Sequence, residues 1–165
     1  MEQNKLKAGG IFTVDHIRDG RIIDTWQSDN IVVDEGLNYL LDAALSAATP
    51  STTFYLLLFS NNYTPIAATV ITSLTEVNAK IDETTRPVWV EAGVSSKTIT
   101  NTASPAAFTF NASETVYGAA LCRGSAVKGE TSVTKLIAAS KFTSARNLEA
   151  TDILNVKYTL TASSS

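Results

Sequence analysis

The first residues that could do chemistry are a histidine and the carboxylates near it. His16 is the only histidine in the 165 residues, and Asp15, Asp19 and Asp24 lie close to it in sequence. A histidine paired with a carboxylate can act as a general base, but a hydrolase also needs a nucleophile. No Gly-x-Ser-x-Gly segment or other nucleophile motif is present. We therefore expect His16 to be an ordinary strand residue, and the chain to have no catalytic residue and no enzymatic activity.

The remaining candidates for ligand chemistry are acidic pairs, one thiol and a glycine pair. Asp34 and Glu35 fit the first turn of a helix, and residues 81–84 lack the further oxygen ligands of a calcium loop. One cysteine and one histidine cannot complete a zinc site, and Gly9-Gly10 does not open a phosphate-binding helix. The sequence therefore predicts no metal and no cofactor, and Cys122, within an apolar run, is expected to be buried.

Composition and charge restrict the partners. Charged residues make up 18% of the chain, below the roughly 25% of an average soluble protein. The net charge is −3, and Lys5 and Lys7 are the nearest approach to a basic cluster, so we expect no nucleic-acid partner. Residues 1–10 lack the apolar core of a signal peptide, and no segment approaches the roughly 20 apolar residues that span a bilayer. We expect no membrane partner. The single cysteine cannot form an internal disulfide, as expected of a chain that assembles in a reducing cytoplasm.

The elements that must position these residues begin with a hairpin. Residues 11–17 and 21–26 are β-prone and flank Asp19-Gly20, a strong turn dipeptide. Residues 1–10, which end in two glycines, are predicted to form a flexible N-terminal arm.

One amphipathic helix is predicted near residues 34–46, with Asp34 as its N-cap. Its apolar residues recur at helical spacing in a single stripe, made of Leu37, Leu40, Leu41, Ala44 and Leu45. We expect the stripe to pack on a sheet face or on a neighbour.

The rest of the chain reads as short strands separated by Gly, Ser, Asn and Pro. Residues 54–59 fit a strand buried on both faces, whereas residues 66–80 fit a strand or a helical turn equally well. Further strands are predicted over residues 86–90, 97–100, 107–110, 115–123, 134–139 and 154–160. The expected fold is mainly β, an antiparallel β-sandwich of jelly-roll or immunoglobulin-like type, with one domain over residues 11–160 and a short tail over 161–165.

The two tryptophans allow two interpretations. Trp26 and Trp89 lie in β-prone segments with polar flanks. Core packing is favoured, and the alternative is an exposed aromatic contact with a protein partner or a sugar.

The order of the segments resembles small virion structural proteins of tailed bacteriophages. After the hairpin, the resemblance is carried by NIVVDEGLNYLLD at 30–42 and by the strand 54–59 with NNYTP at 61–65. It continues through TRPVW at 85–89, AFTFNA at 107–112, VYGAAL at 116–121 and the segment 139–156. No catalytic motif is part of it.

The resemblance implies a capsid decoration (cement) protein on the virion surface, which binds the outside of the head and bridges neighbouring major capsid protein subunits. It also implies a homo-oligomer, a dimer or trimer, with the terminal arms ordered by contact. The candidate partner-binding residues are Lys5, Lys7, Trp26, Trp89 and Ser165. The alternatives are a phage tail, fibre or head-tail adaptor component, and a carbohydrate-binding β-sandwich module that uses a tryptophan.

Overall fold

A computed structural model describes residues 5–164. The chain is mainly β, and its two antiparallel sheets and one helix form a β-sandwich, as the sequence predicted. A 3-10 turn at Ile71–Ser73 lies in the long connection that spans residues 60–91. The elements in chain order are β1 (Leu6–Arg18), β2 (Arg21–Asp29), β3 (Ile31–Val32), α1 (Asp34–Leu45), β4 (Phe54–Phe59), β5 (Ala92–Ser95), β6 (Thr98–Thr100), β7 (Ala106–Thr109), β8 (Glu114–Arg123), β9 (Lys135–Leu148) and β10 (Ile153–Ser164).

The main core lies between the two sheets. The first sheet has the order β2-β1-β10-β6-β5, with β7 also pairing with β10, and the second has the order β3-β9-β8-β4. Side chains that alternate along each strand point inward, and the most completely buried of them come from both sheets. Examples are Phe12, Val14 and Tyr158 from the first sheet, and Leu56 and Leu121 from the second.

The second sheet is covered on its other face as well. Leu57 and Phe59 in β4 and Cys122 in β8 pack there against Ile71 and Leu74 of the long connection. This confirms that β4 is buried on both faces. It also resolves the ambiguous residues 66–80, which form an irregular lid rather than a strand. The helical turn in this segment is a 3-10 turn at Ile71–Ser73 and not a turn over residues 74–79.

The predicted N-terminal hairpin is confirmed, but the prediction of a flexible arm over residues 1–10 is wrong for residues 6–10, and residues 1–4 lie outside the described residues. Asp19 and Gly20, both with positive φ, form the turn between β1 and β2. Residues 6–10 belong to β1 and pair with residues 160–164 of β10, so residues 161–164 are strand and not a loose tail. These two segments are therefore hydrogen-bonded to each other as neighbouring strands. Gly10 is needed for close packing and not for flexibility, because a Cβ there would meet the Thr159 carbonyl and the Tyr158 hydroxyl.

The helix begins where the sequence predicts, but it is capped and oriented differently. Asp34 is the first helical residue and not the N-cap, which is Val33 with no side-chain cap. The helix docks through Gly36, its one buried residue, because a Cβ there would collide with the backbone of Ile137 in β9. The glycine side therefore faces the sheet, and much of the predicted apolar stripe is left open.

The strand predicted over residues 86–90 is wrong. Only a single bridge, from Tyr55 to Val88, joins this segment to β4. Pro87 has no backbone N–H to donate to a ladder, and Arg86 points inward into a polar cluster.

Candidate functional site

Both tryptophans are buried, which corrects their assignment as partner-binding residues. Trp26 packs edge-on against Phe142, and the guanidinium of Arg146 covers its ring at 4.0 Å from the centroid. Trp89 is 4% exposed, and its indole nitrogen donates to the carbonyl of Tyr158 at 3.3 Å. Neither ring offers the open flat face that stacking on a sugar requires.

His16 belongs to a buried polar cluster at the hairpin end of β1. Its Nε2 lies 3.0 Å from Oδ2 of Asp152. Arg18 donates to both oxygens of Asp152 at 2.7 Å, and the amide of Glu149 donates to Oδ2. The pKa of Asp152 is therefore far below its ordinary value, first because of Arg18 and, to a smaller extent, the Glu149 amide and His16, although burial opposes the shift. These contacts fix the β9–β10 turn against β1, which is a structural role.

Cys122 lies in the buried face of β8, as the sequence predicted. Burial raises the pKa of its thiol to about 12. Because the thiolate is the nucleophilic form, this cysteine is inert at neutral pH.

Arg86 is the polar residue that sequence reasoning missed. It is 1% exposed and donates to both carboxylate oxygens of Glu76, at 2.9 and 2.6 Å. The remaining donors reach the Thr134 hydroxyl and the carbonyls of Ser125 and Glu130. No spacing motif signals the cluster, since its members come from distant segments. It joins the lid over the second sheet to the loop before β9.

Lys5 and Lys7 of the predicted partner-binding set lie at the start of the first strand. Lys5 precedes β1 and Lys7 is within it, and both are exposed. Among residues 5–164, neither lysine forms an ion pair. Ser165, the last member of the set, lies outside the described residues.

The structure brings Leu6, which lies between Lys5 and Lys7 in sequence, to the uncovered stripe of α1. Leu40 is partly buried against the core, whereas Leu37, Leu41 and Leu45 are 39%, 50% and 82% exposed. Leu6 of β1, at 73% exposure, is the strand's contribution to the same region. We refer to these four exposed leucines, Leu6, Leu37, Leu41 and Leu45, as the open end.

Two concave surfaces adjoin the first residues of β1. One, of about 290 Å³, is lined only by apolar side chains, namely Leu6, Ala8, Leu37, Leu40 and Leu41. The other, of about 500 Å³, lies over the two glycines of β1 and is lined by Lys7, Gly9, Gly10, Ile11, Asp29, Thr159, Thr161 and Ser163, among others. Apolar walls with hydrogen-bonding groups at the rim suit binding of a polypeptide.

The described residues hold no group of three or more His, Cys, Asp or Glu side chains placed to bind a metal ion. Within residues 5–164, no helix has the length and apolar character needed to cross a membrane. By its two packed sheets, the chain belongs to the class of β-sandwich proteins. Comparison with known protein families and with curated protein sequences finds no match.

Proposed function

We propose that this chain is a non-enzymatic structural subunit of a tailed-bacteriophage particle, and more narrowly a capsid decoration (cement) protein. In this role it binds the outer surface of the head and stabilises contacts between neighbouring major capsid protein subunits. The observation that carries the proposal is the open end, because apolar side chains gathered at one place are stabilised by a partner that removes them from water.

The energetics of the open end suit an assembly contact. Complete burial of one leucine side chain contributes about 1.5–3 kcal/mol, and Leu6, Leu41 and Leu45 are each at least half exposed. The low fraction of charged residues, 18%, helps in the same way, since charged side chains are depleted from the buried centre of interfaces.

The resemblance to virion structural proteins of tailed phages supports the same role. A decoration subunit acts by contact, and subunits of symmetric shells commonly associate around local symmetry axes. The proposal therefore includes a dimer or trimer on the virion surface, with the major capsid protein as the partner.

The proposal is tested by adding purified protein to heads that lack it. Leu41→Asp and Leu45→Asp place a charge in the open end, and we expect both variants to lose most of their binding to heads. Ile22→Asp is the matched control, because Ile22 is 61% exposed at the hairpin tip, at the other end of β1, and should leave binding unchanged. If the two leucine variants coat heads as well as the unmodified protein, the proposal is wrong.

A further inference from the structure

The start of β1 is a strand with a partner on one side only. β1 pairs with β10 from Leu6 to Ile17, but its pairing with β2 begins only at Ile11, opposite Asp29. After Asp29 the chain leaves the first sheet for β3. The edge of residues 6–9 that faces away from β10 is therefore covered by no strand among the described residues.

The hydrogen-bonding groups on this edge can be assigned from Gly10. Its amide donates to Oδ1 of Asn30 at 2.6 Å, and its carbonyl accepts from the amide of Asn30 at 3.1 Å, so both groups of Gly10 point away from β10. Because these directions alternate along an antiparallel strand, the N–H and C=O groups of Ala8 and Leu6 point the same way. They form a short ladder ready for another strand.

The two concave surfaces flank this edge on opposite faces of the sheet. Phe12 and Val14 point into the core, so by alternation Ala8 and Leu6 lie on the inner face, beside the apolar surface of α1. Lys7 and Gly9 lie on the outer face, and a Cβ at Gly9 would meet nothing within 4 Å. An added strand would place alternate side chains against the apolar groove on the inner face and beside Lys7 and Gly9 on the outer face.

The charges around the edge select among possible occupants. Lys7 lies on the outer face, and Lys5 comes two residues before it. Neither has an acidic partner among residues 5–164, and Asp29 also lines the outer groove. A second copy paired antiparallel along the same edge would bring its own lysines against these, and like charges across a strand pair are destabilising. Acidic residues in the added strand would instead pair with them.

We infer that residues 6–9 of β1 are a strand-addition site for an extended segment of a different protein, in which apolar residues alternate with acidic ones. The apolar residues enter the groove formed by Leu6, Ala8 and α1, and the acidic residues meet Lys5 and Lys7. Main-chain hydrogen bonds to Leu6 and Ala8 supply affinity, and the apolar groove and the two lysines supply specificity. The identification of the capsid shell as the source of this segment rests on the proposed function. The existence of the site does not depend on that function.

The test measures binding of a soluble fluorescent peptide of alternating valine and glutamate by anisotropy. Ala8→Pro removes the backbone N–H of residue 8, which would donate to the added strand. The fold should tolerate this change, because proline is accepted at an edge position whose N–H faces solvent. Ala8→Ser keeps the amide and is the matched control. We expect Ala8→Pro to weaken binding at least about tenfold and Ala8→Ser to leave it nearly unchanged.

A charge exchange provides the second arm, which does not depend on the folding of the proline variant. The double variant Lys5→Glu, Lys7→Glu should lose the glutamate peptide and gain binding to a peptide of alternating valine and lysine. Hydrogen exchange should show slower exchange at the Leu6 and Ala8 amides when the glutamate peptide is bound.

Several outcomes would overturn the inference. These are no binding of the glutamate peptide to the unmodified protein, equal binding to the charge-exchange variant, and protection of amides elsewhere. A dimer that Ala8→Pro dissociates in the absence of peptide would assign the edge to a second copy instead. Normal coating of heads together with any of these results would leave the proposed function standing.

Discussion

The guanidinium of Arg86 is wholly buried and donates to both carboxylate oxygens of Glu76, at 2.9 and 2.6 Å. Glu76 lies in the lid over the second sheet, where its backbone forms an isolated β-bridge with Phe59 of β4. Further Arg86 donors reach the loop that precedes β9. One side chain thus holds two irregular segments on the same sheet face.

We expect Arg86→Met to destabilise the fold by about 3–5 kcal/mol, because it leaves the Glu76 carboxylate buried without its partner. The free energy of unfolding from urea titration is the measurement. Lys135→Met is the control, since Lys135 lies 4.0 Å from Glu35 in a more exposed pair that should be worth less than about 1 kcal/mol. Equal effects of the two substitutions would contradict this account of the Arg86 cluster.

The low pKa of Asp152 predicts an acid-dependent loss of stability. Because this pKa is lower in the folded than in the unfolded chain, the ionised carboxylate stabilises the fold. The contribution is complete above the unfolded value of about 3.9 and is lost as the pH falls toward the folded value. Asp152→Asn removes this titration, so we expect its unfolding free energy to fall less steeply below about pH 4. Parallel curves for the two proteins would show that Asp152 is not responsible.

Glycine replacements should test how the helix is seated. Glycine to alanine inside a helix ordinarily stabilises by about 0.5–1 kcal/mol. At Gly36 we expect the opposite sign, because the added Cβ would meet the backbone of Ile137 and force α1 away from β9. Gly9→Ala is the control with no atom within 4 Å of its Cβ, and its melting temperature should change little. A stabilised Gly36→Ala protein would show that the helix is seated differently.

The burial of both tryptophans predicts weak quenching of their fluorescence by acrylamide. Trp26 and Trp89 are 9% and 4% exposed, so collisions with the quencher should be far fewer than for free indole. Addition of oligosaccharides should not change the emission. Strong quenching, or an emission shift that saturates with a sugar, would restore the carbohydrate-binding alternative.

The parts of the fold that sequence predicted are those encoded in neighbouring residues. The turn at Asp19-Gly20, the extent of α1 and the buried strand β4 each follow from local periodicity or turn chemistry. The paired termini did not follow, because the partner of Leu6 is Ser164 at the other end of the chain. Pairing over such separations leaves no local pattern.

The candidate site was predicted only in part, for a similar reason. Helical spacing showed that α1 has an apolar stripe, but its direction is set by the contact of Gly36 with Ile137. A glycine inside an otherwise good helix was the one available signal of a close approach. Lys5 and Lys7 were identified, whereas the free strand edge beside them depends on where β2 stops pairing, at Asp29.

The most direct test of the decoration role is the number of copies of this chain in each purified virion, measured by quantitative mass spectrometry against the major capsid protein. We predict a number on the order of hundreds, at parity with the capsid protein or at a simple fraction set by shell symmetry. A count of about a dozen or fewer, as expected for one vertex of the shell, would assign the protein to the tail, fibre or head-tail adaptor. Its absence from the particle would contradict the virion role altogether.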